Sequence, residues 1–537
     1  MNSQLLLGAE AIAQAAIDAG ISGVYAYPGT PSTEITEYIQ QSSVAKQKGI
    51  HSTWATNEKT AYEAALGMSY AGKRSLVCMK HVGLNVAADA FINSAITGVH
   101  GGLVVVSADD PSMHSSQNEQ DSRVYGKFAH LPVVEPATQQ EAYDAVRYAF
   151  DLSEEVGLPV LMRITTRLSH SRSGVVPRTP RAENPFNPST DKQKWILLPV
   201  NARRNYLHLL DLQNTLKQKS EFSFLNRVVE GEGKQAVIAF GLGFNYVMEV
   251  RESYGLNFPV LKIGQYPLPD GLIHSFTDHF DEVLVVEEGY PVYEELLKGY
   301  FGNPTFRGRL DGALPRTGEL SPDALAKALG VGAVTETTIP DLVAPRPPML
   351  CPGCSHRDVF EELNSTFEHF TAKHVFSDIG CYTLAALPPF NGLNTCVDMG
   401  ASITMAKGAA DAGLFPSVAV IGDSTFTHSG ITGLLDAVND HSPITVIISD
   451  NSTTAMTGGQ PSAGTGKIHD ICKGIGVEEA HIRTIVPLKK NSEINSAILK
   501  EEMEYRGVSV IIAQRECVQT ASRKHKEAAK EAEKAGK

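Results

Sequence analysis

The chain has 537 residues, of which 42% are hydrophobic, so it is long enough for several domains that each have a real core. Its formal net charge of −13 and isoelectric point near 5.7 argue against the basic surface that a nucleic-acid-binding protein needs. No basic, apolar leader or membrane span is evident, and seven cysteines are then expected to be reduced. We therefore expect a cytoplasmic protein that binds small molecules, with no membrane and no nucleic acid as partner.

Helical and strand patterns alternate through the first part of the chain. Helices are predicted at 8–20, 58–71, 84–97 and 139–155, the first with no strand before it. The apolar segments GVYAYPG, SLVCMK, GLVVVSADD and LPVLMRIT are predicted to be strands. Strands that are apolar along their length need burial on both faces, which predicts a doubly wound parallel sheet in a domain at 1–190.

Two further α/β domains are predicted downstream. The segments QAVIAFGLG, FPVLKIGQYPLP and EVLVVEEG indicate strands of a second domain at 191–335, and a Pro-rich linker follows at 336–349. A third domain is predicted at 350–520 and a charged tail at 521–537. The predicted fold class is therefore α/β, with three doubly wound parallel-sheet domains.

Two strands of the third domain end in oxygen-bearing side chains. SVAVIGD ends at Asp423 and ITVIISDN ends at Asn451, with a crossover helix predicted at about 429–440. Parallel strands present their carboxyl ends at one edge of the sheet, so both side chains can reach one cation. With the backbone carbonyl of Thr453 they would suit Mg²⁺ that shares a diphosphate. The alternative is that these residues only end strands and cap turns.

Glycines follow both strand ends. Gly422 and Gly458 would allow backbone N–H groups to approach a diphosphate, and a helix expected to start near His428 would direct its positive end to the same place.

These segments resemble the thiamine diphosphate (TPP) enzymes, whose signature is Gly-Asp-Gly followed by an Asn. Ser424 stands where the third position is usually glycine. The loop DNSTTAMTGGQ is more similar to that of the 2-oxoacid:ferredoxin oxidoreductases, and VDMGASITMAKG resembles their segment beneath the aminopyrimidine ring. The resemblance implies cofactor contacts from Gly400, Ser402 and Ser424.

Thiamine chemistry needs a shielded carboxylic acid that hydrogen-bonds ring atom N1′. NEKTAYEAALG offers Glu58 at the start of a helix, and it resembles the TPP-enzyme pattern of a glutamate followed by small residues and a glycine. Glu58 is therefore predicted to be catalytic and to bind the cofactor. Glu63 competes for the role, and an acidic first turn can also be simple dipole complementarity.

Four cysteines form a possible metal set. Cys351 and Cys354 make a C-x-x-C turn, and Cys381 and Cys517 follow predicted strands. Four thiolates suit zinc or a [4Fe–4S] cluster, and unmetallated thiols remain a third possibility. Beside TPP only a cluster could accept electrons, which favours the cluster.

The whole length resembles the large subunits of the indolepyruvate ferredoxin oxidoreductases. YPGTPSTE, MKHVGLNVAADAF, DDPSMHSSQNEQDSR, CPGCSHR and DIGCYTL carry the resemblance in this order. It implies a TPP pyrimidine-type domain, a transketolase C-terminal-like domain and a TPP diphosphate-type domain. It also implies oxidative decarboxylation of an aryl 2-oxoacid with coenzyme A to an acyl-CoA and CO₂.

The resemblance further implies partners and substrate contacts. A smaller beta/gamma-type subunit, ferredoxin or another electron acceptor, and a dimer of the large subunit are expected. The family continues into a ferredoxin-like domain that this sequence lacks, so electrons are expected to leave through a partner. Gly29 and Thr30 in a turn before a helix, and Arg123, are predicted to contact the substrate carboxylate or the cofactor, although Thr30 could be only a helix cap and Arg123 only a surface charge.

Two other functions stay open at this point. One is a non-oxidative TPP-dependent 2-oxoacid decarboxylase or carboligase, in which the cysteines are idle or bind zinc. The other is a non-catalytic scaffold subunit, which the presence of Glu58, Asp423 and Asn451 disfavours.

Overall fold

The computed structural model describes residues 3–300, 305–315, 318–331, 342–344, 348–371, 373–396, 399–411 and 414–535. The chain divides into two compact units, Met1–Thr338 and Ile339–Lys537. The division falls in the predicted linker 336–349, much of which lies outside the described residues. Among the helices that are described, none has both the length and the apolar character needed to cross a bilayer.

The first unit alternates strands and helices, as predicted. Its elements up to the Pro-rich stretch are β1 (Gln4–Leu7), α1 (Gly8–Asp18), β2 (Gly23–Ala26), α2 (Thr33–Gln41), α3 (Ser43–Gln47), β3 (His51–Trp54), α4 (Glu58–Tyr70), β4 (Ser75–Lys80), α5 (His81–Thr97), β5 (Leu103–Asp109), α6 (Arg123–Phe128), β6 (Val133–Val134), α7 (Gln139–Val156), β7 (Val160–Thr165), α8 (Thr166–His170) and β8 (Arg172–Val175). The remaining elements of this unit are α9 (Lys192–Trp195), α10 (Pro199–Glu221), β9 (Arg227–Val229), β10 (Gln235–Phe240), α11 (Gly243–Ser253), β11 (Val260–Ile263), β12 (Gln265–Tyr266), α12 (Asp270–Thr277), β13 (Glu282–Val286), α13 (Val292–Tyr300), β14 (Thr305–Arg307) and α14 (Pro322–Ala328).

Two open sheets organise this unit. A seven-stranded sheet has the order β12-β6-β7-β5-β4-β2-β3, and a five-stranded sheet has the order β14-β13-β10-β11-β9. Strands β4, β5 and β7 are buried along their whole length, as the apolar runs predicted. Strand β12 belongs to the middle segment but pairs antiparallel with β6, so the predicted domains 1–190 and 191–335 pack within one compact unit.

The second unit contains one five-stranded parallel sheet, in the order β15-β16-β17-β21-β20, which the third predicted domain required. Its elements are α15 (Ser355–Thr366), β15 (Val375–Ser377), α16 (Ala401–Asp411), β16 (Ser417–Gly422), α17 (Asp423–Thr425), α18 (Ile431–Asn439), β17 (Ile444–Asp450), β18 (Thr453–Thr454), β19 (Gln460–Pro461), α19 (Ile468–Ile475), β20 (Ile482–Ile485), α20 (Ser492–Glu504), β21 (Ser509–Gln514) and α21 (Val518–Ala535). The α/β fold class with parallel sheets is confirmed.

Two local predictions were wrong in detail. Residues Gln4–Leu7 form β1, which pairs with β8, so the first helix does follow a strand. The helix after β16 begins at Asp423, passes through a π-helical turn at Phe426–Gly430 and continues as α18, so it starts before His428. The charged tail predicted at 521–537 was expected to be marginally helical, and its described residues belong to α21, which starts at Val518.

A buried ionic network joins the two sheets of the first unit. Its two guanidinium groups, on Arg123 and Arg163, are fully buried. They face buried carboxylates from both sheets. Arg123 pairs with Asp121 at 2.6 Å and with Glu287 at 2.9 Å. Arg163 pairs with Asp109 at 2.6 Å and with Glu135. Arg163 also donates to the carbonyl oxygen of Glu288 at 2.8 Å. Because residues 287 and 288 follow β13, these contacts bind the second sheet to the first.

The buried carboxyl group of Glu288 lies beside this network. Burial raises the pKa of Glu288 to about 7, although Arg309, Arg163 and Arg167 act in the opposite direction. A raised folded-state pKa means that the folded protein holds a proton which the unfolded chain releases from about pH 4.5 upward. The stability that this proton represents is present below pH 4.5 and is lost as the pH rises through about 7.

We predict that Glu288→Gln reduces the loss of stability between pH 5 and pH 8. The amide keeps the shape and does not ionise, so on the order of 2 kcal/mol of pH-dependent destabilisation should disappear. Chemical denaturation of the full chain at both pH values measures the difference. Glu295→Gln, at an exposed position of α13, is the matched control and should keep the parental pH dependence. Equal pH dependence in Glu288→Gln and the parent would contradict the prediction.

Candidate active site

The carboxyl edge of the sheet in the second unit gathers most of the predicted residues. Asp423 follows β16, Asn451 follows β17, and Cys517 lies three residues beyond β21. These strands are parallel, with Gly422 opposite Ser449 and Asp450 opposite Gln514. Loops that leave neighbouring parallel strands at one level form a ligand site of the kind common in open α/β sheets.

Asp423 has the features of a cation ligand. The side chain is buried, and Oδ2 makes no hydrogen bond within the described part of the chain. Burial and the nearby charge of Asp450 raise its pKa to about 7, against a lowering contribution from Ser462. A buried carboxylate oxygen without a donor fits a site for Mg²⁺, since a hard cation would supply the missing charge.

Asn451 is held in the same loop system. Its Oδ1 accepts a hydrogen bond from the Thr453 backbone N–H at 3.1 Å, and its main-chain carbonyl accepts from Cys517 N–H at 3.3 Å. The side chain of Thr453 donates to the carbonyl of Gln460 at 2.9 Å, within the β18–β19 hairpin. The hairpin therefore holds the backbone of Thr453, whose carbonyl was predicted to bind the metal.

Ser424, which stands in place of the glycine of the family signature, makes a side-chain hydrogen bond. Its hydroxyl lies 2.7 Å from that of Thr454, so the loop after β16 is joined to the loop after β17. A glycine could not make this bond. The serine therefore has a structural role that couples the two strand ends.

The predicted glycines are needed for close approach of the backbone to side chains. A Cβ at Gly422 would lie 2.7 Å from the Tyr382 ring, which is too close. Gly458 has a φ of 123°, a conformation that side chains disfavour, and its carbonyl accepts from Arg523 of α21 at 2.6 Å. The helix that sequence analysis treated as a tail thus fixes the glycine loop.

Asp378 is a buried acid at this edge that sequence analysis missed. It follows β15, and its Oδ2 accepts from the Ser402 hydroxyl at 2.6 Å and from the Gly400 N–H at 3.2 Å. Burial raises its pKa to about 7, although the hydrogen bonds lower it. Asp378 therefore holds the segment that was predicted to lie beneath the aminopyrimidine ring, of which Val397 and Asp398 are outside the described residues. The signal was the acid at the end of the HVFSD strand.

His356 was also missed. It is buried in the first turn of α15, its Nε2 lies 3.4 Å from Asn451 Nδ2, and its ring packs edge-on against Tyr382. Burial lowers its pKa to about 4, so the imidazole is neutral at pH 7. A neutral imidazole can accept a hydrogen bond from the Asn451 amide, which directs the amide oxygen to the other side. Its position two residues after the C-x-x-C turn was the available signal.

The four predicted cysteines lie in one region of the second unit. Gly353, in the C-x-x-C turn, accepts from Arg515 at 2.5 Å, and Cys351 Sγ accepts from Gln519 at 3.5 Å, so this turn lies against the chain that leaves β21. Burial, followed by the charges of Cys354, Cys517 and Cys351, raises the pKa of Cys381 to about 12. The four thiols therefore influence one another electrostatically. Within the described ranges, however, no three His, Cys, Asp or Glu side chains stand at metal-ligand spacing.

The first unit has its own polar edge, where β2, β3, β4 and β5 end. Glu58 opens α4 just after β3 and is buried, with 5% of its surface exposed. A Cβ at Gly83 would lie 2.5 Å from Glu58 Oε1, so the glycine leaves space for this carboxyl group. Glu63 points outward and pairs with Lys59 at 3.8 Å. The burial difference favours Glu58 over Glu63 as the shielded acid.

Thr30 lies in the half-buried turn between β2 and α2. Gly29 N–H donates to Thr33 Oγ1 at 2.9 Å, and the Ser115 hydroxyl is 3.4 Å from the Thr30 carbonyl. Ser115 belongs to the loop after β5, in which Ser112 and Met113 have positive φ angles of 67° and 56°. This turn and this loop therefore form adjacent walls at the edge of the sheet.

Arg123 does not fit its predicted contact with a substrate carboxylate. Its guanidinium is fully buried and faces Asp121 and Glu287, and it donates to the Tyr290 carbonyl at 3.0 Å. Protein carboxylates already satisfy this charge. The sequence could not show this, because Glu287 lies far along the chain.

Two models of known protein families match this chain, one in each unit. The family model described as "Pyruvate flavodoxin/ferredoxin oxidoreductase, thiamine diP-bdg" matches residues 14–204. A second, described as "Thiamine pyrophosphate enzyme, C-terminal TPP binding domain", matches residues 378–513. The two matches contain Glu58 and Asp423 respectively.

Relatives extend the similarity over nearly the whole chain. Indolepyruvate oxidoreductase subunit IorA of Archaeoglobus fulgidus is 41% identical over 545 residues, which cover 95% of this chain and 86% of the relative. The subunit of the same name from Methanothermobacter thermautotrophicus is 40% identical, with 96% and 86% covered. A solved 2-oxoglutarate:ferredoxin oxidoreductase from Magnetococcus marinus shares the fold, with a TM-score of 0.50, 17% identity, and 61% of this chain and 65% of that chain covered. The chain therefore belongs to the family of indolepyruvate oxidoreductase IorA subunits, which are TPP-dependent 2-oxoacid:ferredoxin oxidoreductases.

Proposed function

We propose that this chain oxidises aryl 2-oxoacids of the indolepyruvate type with coenzyme A and passes the electrons through a [4Fe–4S] cluster. The reaction converts the 2-oxoacid anion and the thiol of coenzyme A into an acyl thioester, CO₂, one proton and two electrons. The observation that carries the proposal is that Asp423 and Asn451 share one sheet edge with the loops that bear Cys381 and Cys517. Because the cofactor site and the four cysteines would share one edge, electrons could pass from the cofactor to a cluster on the cysteines.

We propose that the second unit holds the diphosphate end of TPP. Asp423, Asn451 and the Thr453 carbonyl would bind Mg²⁺, and the orphaned Oδ2 of Asp423 supports this assignment. Gly422, Ser424 and Gly458 would border the diphosphate, and Gly400 and Ser402 would lie by the ring. Bound TPP supplies a nucleophilic carbon and an electron sink for the loss of CO₂.

The proposed roles in the first unit are proton transfer and substrate binding. Glu58 would share a proton with ring atom N1′ of the cofactor, a role that requires a carboxyl group shielded from water. Gly83 leaves room for that carboxyl, and the burial of Glu58 supplies the shielding. Thr30, with Gly29, would contact the 2-oxoacid.

Cys351, Cys354, Cys381 and Cys517 are the proposed cluster ligands. Thiolates are the ligands that both [4Fe–4S] clusters and zinc prefer, and only the cluster can carry an electron. The contacts of the C-x-x-C turn with the chain that leaves β21 support a shared region for these thiols, although within the described ranges no three of them stand at metal-ligand spacing. A smaller subunit and ferredoxin or a similar acceptor would take the electrons onward, and two large subunits would associate. A non-oxidative decarboxylase or carboligase is the alternative that the cysteine experiment below tests.

We predict that the chain, purified anaerobically with its smaller subunit, reduces a viologen dye when given coenzyme A and an aryl 2-oxoacid. Indolepyruvate and phenylpyruvate should exceed pyruvate in kcat/KM by at least about tenfold, since a site for an aryl group gains from burying it. Release of CO₂ without dye reduction would indicate the non-oxidative reaction instead.

We predict that Glu58→Gln lowers kcat by about 10² to 10⁴-fold, because the amide cannot share a proton with N1′. TPP affinity, measured by calorimetry, should change by less than about tenfold. Glu63→Gln changes the same chemistry at an exposed site of the same helix and should keep the parental kcat. A large loss in Glu63→Gln with none in Glu58→Gln would reverse the assignment.

We predict a broad absorption near 400 nm and about four iron atoms per chain in the anaerobic protein. Cys381→Ser should remove most of the absorption, because a ligand is lost. Cys396→Ser replaces an exposed thiol outside the set and should leave the spectrum unchanged. A colourless protein that contains zinc would exclude the cluster and favour the non-oxidative function.

A further inference from the structure

Lys80 is a buried cation at the polar edge of the first unit, and it has no role in the reaction proposed above. It ends β4, and 8% of its surface is exposed. A Cβ at Gly29 would lie 3.1 Å from Lys80 Cβ, so the lysine stem runs directly beside the turn that contains Thr30. Lys80 is therefore the neighbour of the proposed substrate contact.

Within the described part of the chain, the Lys80 ammonium donates its hydrogen bonds to neutral oxygens. Its ammonium donates to the Ser115 carbonyl at 2.6 Å and to the Ser115 hydroxyl at 3.4 Å, and both are neutral oxygens. The hydroxyl of Ser115 is in turn 3.4 Å from the Thr30 carbonyl. Lys80, Ser115 and Thr30 thus form one contiguous group.

The charge of Asp110 acts on Lys80, but the two side chains share no hydrogen bond. The two carboxylate oxygens of Asp110 accept from Ser115 N–H at 2.8 Å, Ser116 Oγ at 2.5 Å and Thr166 Oγ1 at 2.7 Å. Burial lowers the pKa of Lys80 to about 8, and the charge of Asp110 only partly opposes this. A buried ammonium that has lost water and is only partly compensated by an acid is stabilised by any anion that reaches it.

Arg123 shows the opposite arrangement. Its charge is met by Asp121 and Glu287 at 2.6 and 2.9 Å. A substrate carboxylate near Arg123 would have to displace one of these carboxylates, whereas near Lys80 it would replace neutral oxygens. The difference in charge compensation selects Lys80 over Arg123 as the cation for the substrate.

We propose that Lys80 binds the carboxylate of the 2-oxoacid substrate, next to Thr30. The proposal rests on the proposed function, in that it needs a 2-oxoacid at this edge. The ammonium fixes the end of the substrate that leaves as CO₂, and the Ser115 carbonyl holds the ammonium in place for it.

Lys80→Met in the complete enzyme tests the proposal. Loss of a charge-assisted contact should raise KM for phenylpyruvate about 10 to 100-fold. The binding of 3-phenylpropionate, an unreactive carboxylate, should weaken by a similar factor in calorimetry. The binding of 3-phenylpropionamide, which lacks the charge, should stay within about twofold of the parent.

Two further variants separate the charge from the fold. Lys80→Arg keeps the charge and should recover part of the carboxylate affinity, while Lys73→Met, before the opposite end of β4, should behave as the parent. TPP affinity and the thermal midpoint of Lys80→Met should stay near the parental values. If Lys80 only supports the loop, acid and amide probes weaken together and the midpoint falls, and the proposal is overturned.

The outcome also distinguishes this proposal from the proposed function. A parent enzyme that turns over phenylpyruvate while Lys80→Met keeps its KM refutes the role of Lys80 alone. A parent that turns over no 2-oxoacid and binds no carboxylate probe refutes both. Weaker binding of coenzyme A with unchanged 3-phenylpropionate affinity would assign Lys80 to a phosphate instead and would overturn the proposal.

Discussion

The parallel pairing of β16, β17 and β21 is the constraint on which the candidate site depends. Its register sets Gly422 beside Ser449, and Asp450 beside Gln514, so three loops leave the sheet at nearly one level. A slip of one residue would turn every side chain of a strand to the opposite face, and the fully buried strands oppose such a slip. The positions of Asp423 and Asn451 are therefore determined by the hydrophobic core beneath them.

Polar bonds between the loops then fix what the register brings together. Ser424 bonds Thr454, Asp378 bonds Ser402, and Arg523 bonds Gly458. Each bond joins segments that follow different strands or helices, so the loops act as one surface. The C-x-x-C turn is attached to the same surface through Arg515 and Gln519. The residues proposed for the metal, the diphosphate and the cluster therefore lie on one hydrogen-bonded surface.

Sequence reasoning recovered the elements whose signal is local. Strands β4, β5 and β7, and helices α4 and α7, were predicted within a few residues because apolar periodicity and caps specify them. Contacts between distant segments were not recoverable in this way. Nothing near Arg123 in the sequence shows that Glu287 neutralises it, and nothing near Asp378 shows that it holds Ser402. Strand β12 likewise joins a sheet from another predicted domain, a pairing that only the tertiary structure determines.

The first unit contains buried cations of two kinds, those that carboxylates neutralise and one whose hydrogen bonds go to neutral oxygens. Arg123 and Arg163 are matched with carboxylates from both sheets, which joins the two sheets. A buried ion pair of this kind adds little net stability, because desolvation offsets most of its attraction. Lys80 is buried as well, yet its hydrogen-bond acceptors are neutral oxygens, so its desolvation is offset only in part, by the charge of Asp110. The fold compensates the charge of Arg123 with carboxylates but leaves that of Lys80 undercompensated. An anion that binds at Lys80 would therefore gain free energy that it could not gain at Arg123. This difference in charge compensation distinguishes a ligand site from a structural one.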